Sequence, residues 1–258
     1  MRNDGQPCHH PKWCSFAPAK SINVVHSCSG AWCSFTPALT IRLAVMMYIR
    51  FPLSLRNVED LLHERGIDVS HETVRYWWNK FGPMFAAEIR KKRVQQLQAY
   101  SNWQWHLDEV FVKINGQTHY LWRAVDHEGE VLESCVTKRR DRKAALRFLK
   151  KLMKRHDRPH VIVTDKLRSY GAAMKVIGNA DKQETGRWLN NRAENSHQPF
   201  RRRERAMLRF RRMRSLQKFV AIQSVVYNQF NQERHLYSRE NYKLNRAAAL
   251  AEWQMVGT

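Results

Sequence analysis

An α/β fold, a mixed sheet flanked by helices and preceded by an all-α segment, is what this sequence predicts, and three observations predict it. Apolar residues recur at helical spacing in the first third, beginning with Ile41, Val45, Tyr48 and Ile49. From Asn102 the pattern changes to that of strands, in WQWHLDEVFVKI, THYLWRAVD and EVLESCVT. A short apolar run, HVIVTD, then follows a helical stretch, as a buried parallel strand does.

The elements can be justified in order. In SLRNVEDLLHERGIDVSHETVRYWWNKFG, Leu55, Val58, Leu61 and Leu62 mark the buried face of one helix. Gly66 can end that helix in a left-handed conformation. Ser70 is a natural N-cap for the next, in which Val74 and Trp77 or Trp78 face inward. Helix, short Gly-containing turn, helix is the helix-turn-helix pattern, and it is also the pattern of any small helical hairpin. Ile89 to Gln98, with four basic residues from Arg90 to Arg93, reads as a charged helix or linker. Asn115-Gly116 is a strong hairpin signal between the first two strands. Asp126 reads as a turn former before His127–Gly129, and Asp141 as the N-cap of a helix through Ala144, Phe148, Leu149 and Leu152. Ser169 to Ile177 is a short helix, and Gly178 to Arg187 a polar link. From Leu189 to Arg234 the chain reads as largely helical, with Pro199 expected to kink or restart it. Three antiparallel strands, a helix, a parallel strand and further helices is the order of an RNase-H-like fold.

This order divides the chain into four: a poorly ordered extension (1–38), a helix-turn-helix domain with its linker (39–98), an RNase-H-like catalytic domain (99–235) and a C-terminal helical tail (236–258). The extension contains an internal echo, WCSFAPA and WCSFTPA, and four of the five cysteines, Cys8, Cys14, Cys28 and Cys33. Their spacings are poor for zinc and do not form a secreted disulfide framework.

Composition narrows the partners. A formal charge of +22 on 258 residues forecasts attraction to a polyanion, by release of counterions from phosphates. Nine Trp and eleven Phe argue for a folded enzyme or module rather than a basic tail. No run of about 18 apolar residues exists, and the first residues lack an apolar signal region, so no membrane partner and a cytoplasmic location are expected.

Three acids carry the chemistry. Asp108 lies inside a strand, Asp165 just after the apolar run Val161–Val163, and Glu194 ahead of a helix loaded with arginine. A buried carboxylate is costly unless paired or bound to metal. The fold order places Asp108 on the central strand and Asp165 at the carboxyl end of its neighbour, the edge where open sheets bind ligands. A helix crossing that edge can deliver Glu194. Neighbouring residues have plainer readings. Glu109 points to the other face of the strand and reads as structural, or at most as supporting the site. His106 shares the face of Asp108 and is as well read as a core histidine. Trp122 reads as core, while Trp188 could stack on a base. The run Arg201 to Arg214, eight Arg with one Glu, reads as DNA contact, because such a face repels itself unless phosphates neutralise it.

The motifs HLDE, YLWRAVD, KRRD, TDKLRSYGAA and LNNRAENSHQPFRRRERAM resemble the catalytic domain of bacterial insertion-sequence DDE transposases, the insertion-sequence-six family. The similarity runs from about Pro37 to Trp253. It implies that Asp108, Asp165 and Glu194 are catalytic and hold two Mg²⁺, with Mn²⁺ able to substitute. It also implies that the helix-turn-helix, through His71, Glu72, Thr73, Arg75 and Tyr76, reads the element's terminal inverted repeats. Arg201, seven residues after Glu194, matches a position that is often basic in relatives, and Arg202 and Arg205 would join it on DNA. The interval between Asp165 and Glu194 holds 28 residues, shorter than the family's usual spacing. The implied activity is cleavage of DNA and transfer of the strand into target DNA, within a homo-oligomer that synapses two ends at the nucleoid. The alternative is a repurposed, catalytically inactive relative acting as a sequence-specific DNA-binding protein. A third is a structure-selective nuclease of the same fold.

Overall fold

The computed structural model describes residues 37–97, 104–186, 188–207, 210–231 and 237–257. The cysteine-rich extension, with its zinc and repeat readings, lies outside the described residues.

Period-two alternation builds the sheet. β1 (Gln104–Ile114), β2 (Gln117–Asp126) and β3 (Val131–Thr137) form an antiparallel meander. Asn115 and Gly116 both have positive φ, +50° and +79°, which is the turn whose twist suits a two-residue hairpin. β4 (Val161–Thr164) adds parallel to β1, and β5 (Gln183–Thr185) parallel to β4. The sheet order is therefore β3-β2-β1-β4-β5, with β1 central, the RNase-H-like arrangement.

β5 corrects the reading of 178–187 as a link without regular structure. Three polar residues are too short to show a period. The strand is held by its neighbours: the Gln183 amide donates to Thr164 Oγ1 at 2.8 Å, and Lys182 Nζ to the Pro159 carbonyl at 3.1 Å.

Helices cover both faces. On one, α4 (Arg142–His156) and α5 (Arg168–Ile177) pack through Phe148, Leu152 and Tyr170 against Trp105, Leu107 and Trp122. Asp141 caps α4 as expected, its carboxylate accepting from the Ala144 N–H at 2.8 Å. On the other face, Val110, Val112 and Ile114 meet α6 (Asn191–Ala206) and α7 (Met213–Phe230). That second core does not stop at the sheet. It continues without a break through α1 (Pro37–Arg50), α2 (Leu55–His63), α3 (His71–Leu97) and α8 (Arg239–Met255), by way of Val45, Leu62, Trp78 and Trp253. No described helix is long and apolar enough to cross a membrane.

Two prolines lie inside helices. α3 is one helix from His71 to Leu97, where sequence suggested a recognition helix and a separate charged segment. Pro83 has no N–H for the Asn79 carbonyl four residues back. Lys218 of α7 supplies the missing donor, its Nζ lying 2.8 Å from that carbonyl. Pro199 likewise does not break α6. In the turn it opens, the buried Arg123 guanidinium donates to the Ser196 carbonyl.

Candidate active site

β1 and β4 run parallel and side by side, with Leu107 paired to Thr164. The next residues of the two strands are Asp108 and Asp165, so their meeting follows from register alone. Asp165 stands just past the end of β4, and its Oδ1 accepts from the Leu167 N–H at 3.1 Å. Burial raises its pKa, and Asp108 adds to the rise.

Glu109 also reaches this point. Alternation places it on the α4–α5 face, opposite Asp108, as the sequence reading held. Yet one oxygen each from Asp108, Glu109 and Asp165 lie within 4.8 Å of one another. Asp165 sits beyond the strand end, between the two faces, so side chains from either face approach it. Burial, with Asp165 next in effect, pushes the Glu109 carboxyl up to about 7. Arg140 opposes this through an ion pair of 2.9 Å from its Nε to Glu109 Oε1. Tyr170, fully buried on α5, abuts the cluster, and its phenol is raised well above the ordinary value by burial and then by Glu109.

α6 is docked onto the same edge. Asn190, just before it, donates to the Leu107 carbonyl at 2.9 Å. His197 Nε2 lies 3.1 Å from Asp108 Oδ2. Burial lowers the pKa of His197 despite that carboxylate, so the ring is neutral near pH 7 and adds no positive charge. Glu194 occupies the first turn of α6, one helical turn before His197 and exposed to solvent. The structure therefore brings Asp108 and Asp165 together and leaves Glu194 outside the three-acid cluster.

The expected DNA contacts have mixed surroundings. Ser70 caps α3, accepting from the Thr73 N–H at 3.3 Å. His71 Nδ1 is 3.0 Å from Glu59. Arg75 is exposed and donates to both oxygens of Glu72, at 2.6 and 2.8 Å. Thr73 is half-buried, and Tyr76 is exposed, with Lys80 over its ring. On α6, Arg202 and Arg205 are exposed. Arg201 donates to Glu204 at 2.5 Å and to the Phe111 carbonyl at 2.7 Å, so protein atoms already engage it. Arg203 is buried, its guanidinium 4.8 Å from the Tyr48 ring centre and 5.6 Å from that of Phe219. Burial pushes its pKa down to about 10. The arginine run is thus not one solvated face.

Sequence reasoning gave Glu109 at most a supporting part and gave Arg140 and Tyr170 no role in the site. The signal available was the place of Arg140 in KRRD and of Tyr170 in TDKLRSYG, motifs without an obvious partner until the fold joins them.

Acids at the ends of adjacent parallel strands, crowded beyond what one arginine neutralises, are the arrangement with which divalent-metal enzymes act on phosphate. Residues 102–233 match the model of a DDE domain. The transposase for insertion sequence-like element IS431mec of Staphylococcus aureus is 36% identical over 162 residues, spanning 61% of this chain and 70% of that protein. The transposase for insertion sequence element IS257 in transposon Tn4003, also from Staphylococcus aureus, is 35% identical over the same length and shares. Among solved structures, the catalytic domain of Mos1 mariner transposase matches with a TM-score of 0.33 and 11% identity, over 66% of this chain and 94% of that one. The chain belongs to the DDE transposases of bacterial insertion sequences, in the insertion-sequence-six family. Its activity is metal-dependent DNA transposition.

Proposed function

We propose that Asp108, Asp165 and Glu194 hold two Mg²⁺ ions and that the chain cuts and joins DNA at the ends of its own element. The observation that carries this is the register of β1 against β4, which sets two carboxylates side by side at a strand edge. Hard oxygen ligands suit Mg²⁺, and the buried acids are poorly compensated without a cation. Ions held there would supply the activation of a water or a 3′-hydroxyl and the charge that stabilises a leaving oxygen. The protein's own residues position the rest. His197, neutral and hydrogen-bonded to Asp108, orients that carboxylate. Asn190 pins the start of α6, so that Glu194 stands one helical turn from His197, the residue hydrogen-bonded to Asp108. Arg202 and Arg205, exposed further along α6, lie where the DNA backbone would pass.

A duplex carrying the element's terminal repeat should be nicked at the repeat boundary in Mg²⁺ or Mn²⁺ and left intact in EDTA. Binding without cleavage in both metals would favour the inactive, DNA-binding alternative.

The start of α3 is proposed to read the repeat, through His71, Glu72, Thr73, Arg75 and Tyr76, in a homo-oligomer that holds two ends. Arg75 is the best placed, being exposed and held in a fixed geometry by Glu72. Arg75→Ala should weaken binding to repeat duplex by about 1–3 kcal/mol, the worth of one bidentate base contact. Binding to random duplex should change much less. Equal losses on both, measured by fluorescence anisotropy, would reduce Arg75 to a phosphate contact.

A further inference from the structure

The carboxylate cluster contains one acid more than the reaction's expected set supplies, and its geometry is unlike that of a surface acid. Glu109 is buried, and its two oxygens have different surroundings. Oε1 is taken by Arg140. Oε2 is sealed from solvent and has no well-formed hydrogen bond to any described residue. The Tyr170 hydroxyl, equally sealed, approaches Glu109 closely enough to act on its carboxylate, but with geometry too poor to satisfy that oxygen. An unsatisfied buried carboxylate oxygen is expensive. Among the described residues, Arg140 is the one Arg or Lys side chain paired with this group of three acids. Both the missing partner and the missing charge are what a divalent cation supplies, and a ligand oxygen of Glu109 is already within 4.8 Å of those of Asp108 and Asp165.

We propose that Glu109 is a further carboxylate ligand of the metal site, its Oε2 closing the site from the α5 side while Arg140 holds Oε1. This rests on the metal site proposed above. Tyr170 then backs the ligand from behind, with Trp122 and Phe148 packed around it. Arg140 fixes the carboxylate's rotation and competes mildly with the cation for the cluster's charge.

The test is Mn²⁺ binding to the metal-free full chain, read from the electron paramagnetic resonance signal of the unbound ion. Supporting partners of a metal ligand are worth about 10–100-fold in affinity, so Glu109→Gln should weaken Mn²⁺ by at least about 10-fold. Glu109→Asp keeps the charge but shortens the reach, and should weaken binding too; it serves alone if the Gln variant does not fold. Arg140→Gln should weaken Mn²⁺ less than Glu109→Gln does, because loss of the group that orients the carboxylate is offset by loss of a competing cation. Parental affinity in both Glu109 variants would make Glu109 merely the counter-ion of Arg140. The same conclusion would follow if Arg140→Gln weakened binding as much as Glu109→Gln does. If the parent chain took up no Mn²⁺ at all, or if Asp108→Asn retained parental affinity, the metal-site reading itself would fall.

Discussion

Asp108→Asn, Asp165→Asn and Glu194→Gln should each remove strand cleavage and transfer while leaving binding to the element's ends nearly unchanged. Loss of partners that merely orient metal ligands costs about 10–100-fold, so loss of a ligand should exceed that range. Stability should move the other way at the crowded pair. The raised pKa of Asp165 reports that its ionised form is disfavoured by burial and by Asp108. Neutralising either aspartate should leave the metal-free protein's melting temperature unchanged or higher. Glu194 is exposed, and its replacement should be thermally silent. A variant that kept near-parental strand transfer on a pre-cut end would remove that residue from the catalytic set. A fall of many degrees in melting temperature would show instead that the acid serves the fold.

Trp122→Ala should be the most damaging change outside the acids. The indole is completely buried in the core between the sheet and α4–α5, against Phe148 and, edge to face at 5.4 Å, against Tyr170. Cavity formation at such a site costs about 3–5 kcal/mol. The indole N–H also donates to Thr137 Oγ1 at 2.8 Å, and that hydroxyl donates to the Arg139 carbonyl at 2.7 Å. Arg140 is the next residue, so the same ring steadies the loop that meets Glu109. Denaturant unfolding measures the loss, and Trp122→Phe should recover most of it. A cost below about 1 kcal/mol for the alanine variant would mean that the core collapses around the gap.

Much of this architecture was legible from residue patterns, because strong local rules coincided with it. Asn115-Gly116 admits few conformations, Asp141 had a helix to cap, and β1 to β4 alternate or run apolar as their burial demands. Asp126 was rightly read as a turn former, its Oδ1 accepting from the Glu128 and Glu130 N–H groups at 2.9 Å. What escaped depended on contacts distant in sequence. The basic run from Arg90 to Arg93 made the end of α3 read as a separate charged helix or linker, and no local rule shows that the helix runs on past Pro83 with Lys218 satisfying the stranded carbonyl. β5 is three polar residues whose strand character comes from β4. Glu109 was placed on its true face, but alternation says nothing about a residue beyond a strand's end, and Asp165 joins the two faces there. Arg203 looked like its neighbours in the basic run, and only the packing of α6 against Tyr48 and Phe219 separates it from them.

The continuous core from α1 to α8 bears on how such an enzyme can change over time. The helices proposed to read DNA ends share buried residues with the helices that carry the chemistry: Trp78 meets Phe219, and Arg203 of α6 lies over Tyr48 of α1. A recognition unit tethered by a linker could be exchanged whole between lineages. This one cannot be lifted out without opening the interior of its neighbour. If α3 reads the ends as proposed, new end sequences would be acquired by substitution on its exposed side, at positions such as Glu72, Arg75 and Tyr76, while the inward side stays bound to its companions. An engineer seeking to retarget the enzyme faces the same restriction, and a chimera made by joining foreign recognition helices at residue 98 would expose the apolar faces of α7 and α8.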